Sequence, residues 1–103
     1  MDFLDVTGAS GTAYRFRRAA LDELPATGGH LVVVTGTAPQ LRYRVCASTR
    51  CLRDAAADLR GLWAKARGAK VFIRLNVSRA TRAAEHADIV AAHPPEHDVS
   101  ELG

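Results

Sequence analysis

The stretch "HLVVVTGTAPQLRYRVC", residues 30–46, decides how the rest of the chain is read. Val32 to Thr35 form a β-branched run, which packs best on a pleated sheet. Gly36 and Pro39 supply turn chemistry, and the chain then alternates, with Leu41, Tyr43 and Val45 on one face and Arg42, Arg44 and Cys46 on the other. An antiparallel hairpin is the expected form. Towards the N-terminus, "TAYRFRRA" (residues 12–19) sets Tyr14 and Phe16 against Arg15 and Arg17, the period of two of a half-buried strand at 13–18. "LDELPATGG" (21–29), with Pro25, Gly28 and Gly29, predicts a loop or a single helical turn, and residues 1–12, with Gly8, Ser10 and Gly11, a flexible lead.

Towards the C-terminus the period changes. Ser48 or Thr49 can cap a helix over about 51–67 on which Leu52, Ala55, Ala56, Leu59, Leu62, Trp63 and Ala66 recur every three or four residues, broken at Gly61 and closed by Gly68. "AKVFIRLN" (69–76) predicts a strand with Val71, Ile73 and Leu75 inward. Ser78 then caps a helix over 79–92 with an apolar stripe of Ala80, Ala83, Ala84, Ala87, Val90 and Ala91, and Pro94 and Pro95 end it. Residues 94–103 form an acidic tail expected to fray. The order β-β-β-α(split)-β-α implies one α+β domain at 13–93, a small antiparallel or mixed sheet with helices packed on it.

At 103 residues there is room for one core. No apolar run reaches the roughly 18 residues of a membrane span, and "MDFLDVTGASG" lacks the basic flank and apolar stretch of a signal peptide, so a cytoplasmic protein without membrane partners is expected. Cys46 and Cys51 match neither a CxxC pair nor half a zinc ribbon and are expected as free thiols. The charge is unevenly placed: residues 42–82 hold eleven basic residues against Asp54 and Asp58, leaving the remainder net negative. Clustered Lys and Arg suit a polyanion such as DNA or RNA, because binding releases condensed counterions.

Motifs narrow the chemistry further. "GASGT" at Gly8 and "VVTGTAP" at Val33 lack the Lys-Ser/Thr of a phosphate loop and the three glycines of a dinucleotide fingerprint, so both are expected as turns. The four histidines, His30, His86, His93 and His97, have no thiolate beside them and no HExxH pattern, and read as solvent-facing imidazoles. No nucleophile elbow surrounds Ser10, Ser48, Ser78 or Ser100.

The succession hairpin, helix, strand, and a helix reading Arg82-x-x-Glu85-x-x-Asp88-Ile89-Val90 that closes on Pro94-Pro95 resembles the GIY-YIG nuclease superfamily over residues 29–97. In active members the resemblance implies tyrosines on the first two strands, an arginine on the next helix and a glutamate on the last that holds one Mg²⁺ or Mn²⁺, whose charge polarises the scissile phosphate. Glu85 stands at the glutamate position. Gly29-His30-Leu31 keeps the first glycine but has Leu31 for the tyrosine. The second motif falls on Arg44-Val45-Cys46, or on Tyr43 with a one-residue shift, and lacks its glycine. The helix arginine falls near Ala55, with Arg53 one step away and Arg60 further on; Glu96 or His97 replaces the asparagine after the prolines.

Without those tyrosines and that arginine the resemblance implies a catalytically degenerate domain needing no cofactor, with Glu85 paired to Arg82 or Arg79 across a helical turn. Nucleic acid would meet Arg42 and Arg44 on the hairpin, Arg53 and Arg60 on the helix, and Lys70 and Arg74 on the later strand, mainly through backbone phosphate. Tyr14, Tyr43 and Phe72 are expected mostly in the core, as is Trp63. The alternatives are an endonuclease in which Glu85 holds the metal and Arg53 assists, and a protein-interaction module using the acidic tail and the hairpin edge.

Overall fold

The computed structural model describes residues 2–62 and 67–102; Trp63, Lys65 and Ala66, which the periodicity places on the first helix, lie outside the described residues. The fold is α+β. The strands are β1 (Phe3–Thr7), β2 (Ala13–Arg18), β3 (Gly29–Thr35), β4 (Arg42–Thr49), β5 (Lys70–Leu75) and β6 (His97–Leu102), and the helices α1 (Leu52–Leu59) and α2 (Arg79–Ala92). They make one six-stranded sheet in the order β1-β2-β5-β3-β4-β6, in which β4 and β6 alone run parallel. Among the described residues no helix is long and apolar enough to cross a membrane.

β3 is central and buried along all seven residues, which is why its sequence is a continuous apolar run and not an alternation. Successive side chains point to opposite faces, so β3 feeds two cores. Leu31 and Val33 join Val45, Ala47, Val71, Ile73 and the α1 residues Leu52, Ala55, Ala56 and Leu59. Val32 and Val34 join Leu4, Val6, Tyr14, Phe16, Cys46, Phe72 and Ile89 of α2. The sheet is therefore the middle of three layers, with α1 on one face and α2 on the other.

The predicted hairpin is present, with one correction. Val33 pairs with Val45 but Val34 with Tyr43, so Arg44 is an extra residue that interrupts the alternation. Tyr43 and Cys46 consequently serve the α2-side core while Val45 serves the other. Gly29 fits where it does because an added Cβ would lie 2.3 Å from the Arg74 carbonyl oxygen on the neighbouring strand.

Other expectations are corrected. The loose lead expected at 1–12 is ordered over residues 2–12: Leu4 and Val6 alternate inward along β1, and the "GASGT" turn is tied down by Asp88, which accepts from the Ser10 amide (2.8 Å), the Ser10 hydroxyl (2.6 Å) and the Tyr14 hydroxyl (2.7 Å). Within the acidic tail, His97–Leu102 are not frayed but form β6. Leu75, expected inward, is 52% exposed. The long helix stops at Leu59 and tightens into a 3₁₀ turn at Arg60–Leu62, where Gly61 stands.

Most consequential is α2. Its bounds and its Ser78 cap agree with the sequence reading, the Ser78 hydroxyl accepting from the Thr81 amide. Its orientation does not. The alanines at 80, 83, 84, 87 and 91 are exposed, and the helix buries Arg82, His86 and Ile89, with Glu85 partly covered between them.

Candidate functional site

Positions 82, 85, 86 and 89 are spaced by three, one and three residues, which brings them onto one helical face. On α2 that face lies against the ends of β3, β4, β5 and β6, and the result is a seam of charge within the protein. Glu85 receives Arg74 from β5 at both oxygens, Nε donating to Oε1 at 3.0 Å and NH2 to Oε2 at 3.4 Å. His30 of β3, 1% exposed, places Nε2 3.2 Å from the same Oε1. The Arg74 guanidinium also lies 5.4 Å from the centre of the Tyr14 ring, and the Asn76 amide stands 3.4 Å from His30 Nε2.

Burial pulls the His30 pKa from 6.5 down to about 4, outweighing the attraction of the Glu85 charge. The ring is neutral near pH 7 and donates Nε2–H to Glu85. That tautomer leaves Nδ1 as a buried acceptor, and it has no hydrogen-bond partner among the described residues. For Glu85, burial acts to raise the pKa, but the Arg74 hydrogen bonds and charge, His30 and Asn76 outweigh it and hold the carboxyl below its ordinary value.

Two further pairs continue the seam. Arg82, 4% exposed, sets Nε 3.1 Å and NH2 3.2 Å from the two oxygens of Glu101, while its NH1 donates to the Asn76 (3.1 Å) and Val77 (3.0 Å) carbonyls. His86 Nε2 lies 2.6 Å from Asp98 Oδ1. Cys46 is across the strand pair from Asp98, yet burial, and then the Asp98 charge, pushes its thiol up to about 12, so it is no nucleophile near neutral pH.

This placement tests the sequence expectations residue by residue. Glu85 pairs with Arg74 and His30 rather than Arg82 or Arg79. His30 and His86 are buried partners of carboxylates instead of solvent-facing rings. Arg53 is exposed on α1, on the opposite side of the sheet from Glu85, so the two cannot act on one phosphate. Arg42 and Arg44 both engage Glu96. Of the six cations expected to meet nucleic acid, Arg53, Arg60 and Lys70 have no ion pair among the described residues. No group of three or more His, Cys, Asp or Glu is arranged to hold a metal among those residues.

A second concavity was not foreseen. β2 and β5 pair only at Arg17–Ile73 and Arg18–Phe72 and then diverge, leaving an open hollow of about 230 Å³ lined by Phe3, Arg15, Phe16, Arg17, Ile73, Arg74 and Leu75. Phe3 is 55% exposed, with the Arg15 guanidinium 5.3 Å from its ring centre. Arg15 pairs with Asp5 at 3.0 Å, whereas Arg17 is exposed and has no ion pair among the described residues. The signal was available in "FLDVT" and "AYRFRR", whose outward positions include Phe3, Arg15 and Arg17.

The fold and seam together define an α+β domain whose last helix is docked by partly buried ion pairs and hydrogen bonds. Comparison with family models, with curated proteins and with solved structures finds no match to this chain.

Proposed function

We propose that this chain binds single-stranded nucleic acid without cutting it, as a GIY-YIG-like scaffold whose catalytic groups have been replaced. The observation that carries the proposal is the hollow beside β2. There an exposed aromatic ring, two outward arginines and the exposed Leu75 meet in a hollow lined by strand residues alone among the described residues. Guanidinium groups hold phosphate through charge and paired N–H donors. An exposed ring offers a base a stacking surface whatever its identity. Arg53 and Arg60 on α1 and its 3₁₀ extension, and Lys70 at the start of β5, extend the positive charge.

The non-catalytic half of the proposal is supported by Glu85. Both its oxygens are already occupied by Arg74, and a metal there would have to displace a guanidinium and a buried ring. The test is fluorescence anisotropy with a labelled oligothymidylate of about 20 nucleotides across a salt series. Binding should weaken steeply with salt, Arg15→Ala with Arg17→Ala should flatten the slope by about one to two ions, and Phe3→Ala should weaken binding by about tenfold. Arg42→Ala with Arg44→Ala should change less, because both guanidinium groups already engage Glu96, whereas Arg17 has no ion pair among the described residues. Affinity that ignores salt, or survives the loss of Phe3, Arg15 and Arg17 together, rejects the proposal.

A further inference from the structure

The carboxylates of β6 lie on arginines in the way that phosphates do. Glu96, just before the strand, bridges Arg42 (3.3 Å) and Arg44. Five residues on, Glu101 takes the fork of Arg82 and lies 3.9 Å from Arg79. Between them Asp98 meets His86. At about 3.3 Å per residue, this series of carboxylates follows the β4 edge for about 17 Å.

Apolar attachment of the same segment is slight. Among its described side chains Val99 alone joins a core cluster, and only from the margin. β6 is an edge strand held parallel to β4 by backbone pairing and by charge, and a segment held by charge is exchangeable for another polyanion. Arg82 would keep its position after such an exchange, because NH1 remains bonded to the Asn76 and Val77 carbonyls while Nε and NH2 become free.

We infer that the β4 edge is a second anion site, covered in cis by the acidic strand, and that the phosphates of single-stranded nucleic acid displace Glu96 and Glu101 from Arg42, Arg44, Arg79 and Arg82. This rests on the nucleic-acid reading above. It adds a distinct surface and a reason for the acidic end of the chain to be folded.

The test compares three proteins by anisotropy with the same labelled oligothymidylate. The variant Glu96→Gln/Asp98→Asn/Glu101→Gln removes the covering charge. The control Asp2→Asn/Asp22→Asn/Glu23→Gln changes net charge equally at carboxylates outside the ion pairs. The first should bind about tenfold more tightly than wild type, with a salt slope steeper by about two ions, and the control should tighten far less. Tightening no greater than in the control overturns the inference. If the triple variant loses its folded circular-dichroism spectrum, Glu96→Gln alone serves, since it frees Arg42 and Arg44 at an exposed position; it should tighten binding about threefold, and unchanged affinity counts against the site. Adding Phe3→Ala/Arg17→Ala separates the two readings. If these changes abolish wild-type binding but not that of the uncovered variant, both surfaces are real. Binding only by the uncovered variant, insensitive to Phe3 and Arg17, keeps the second site and rejects the hollow; binding abolished in both backgrounds rejects the second site.

Discussion

Arg82 and Glu101 meet fork to fork across the gap between α2 and β6, Nε to Oε1 at 3.1 Å and NH2 to Oε2 at 3.2 Å, and Glu101 does so from a left-handed backbone, φ 53°. That conformation is costly for any residue with a Cβ. Bidentate charge pairing, and the Ser48 hydroxyl that accepts from the Glu101 amide at 2.9 Å, offset the cost.

The two partners are unequal in burial, so their removal should differ. Arg82→Ala removes the donor that serves the Asn76 and Val77 carbonyls and both oxygens of Glu101, and should lower stability by about 3 kcal/mol. Glu101→Gln should cost only about 1 kcal/mol, because β6 can open and let water reach the guanidinium. Urea unfolding of the two variants measures this. Equal losses would mean that β6 does not open.

His30 ties stability to pH. The unfolded ring takes up a proton near its ordinary value of 6.5, while the buried one resists until about 4. As pH falls from 6.5 to 4 the unfolded state therefore gains a proton that the folded state lacks, and stability drops by up to about 1.4 kcal/mol per pH unit. Glu85, whose folded value is depressed, loses its contribution as pH falls further through that value, in the same direction. Urea midpoints from about pH 7.5 to 4.5 should show the His30 limb in the wild type, and His30→Gln should lose it. A wild-type midpoint that stays level between about pH 6.5 and 4.5 contradicts a neutral buried ring.

Glu85 gives the sharpest contrast between a metal ligand and an ion-pair partner. Because Arg74 and His30 occupy it, millimolar Mg²⁺ or Mn²⁺ should leave the melting temperature of the wild type unchanged. A bound ion would raise it as the ion concentration exceeds its Kd. Plasmid nicking should be no greater for the wild type than for Glu85→Ala. Metal-dependent nicking abolished by that substitution would restore the endonuclease reading.

The chain was legible wherever large side chains dominate. Val32–Val34, Tyr14 with Phe16, and Val71 with Ile73 each bury enough apolar area to choose a face, and those strands appear as predicted. β1 carried the same alternation in Leu4 and Val6 but was obscured by the glycines that come after it. β6 could not be read, because charge and a partner strand distant in sequence hold it, not its own periodicity. In α2 the period of the helix was plain and its direction was not: alanine contributes so little buried area that a stripe of it cannot outweigh one isoleucine.

The inverted packing of α2 makes a prediction in which apolar and polar positions exchange their usual sensitivity. Ile89 is 2% exposed in the α2-side core, so Ile89→Ala should cost about 2–5 kcal/mol through lost contact and a residual cavity. Ala84 and Ala87 face solvent, and Ala84→Glu or Ala87→Lys should stay within about 0.5 kcal/mol of wild type. His86→Leu, which makes the buried face more apolar, should nevertheless destabilise, because Asp98 loses its partner at 2.6 Å and the branched side chain cannot replace a flat ring. Thermal melts of the four variants decide the matter. If the alanine substitutions unfold the protein while His86→Leu is neutral, the alanine stripe faces the sheet and the polar seam does not exist.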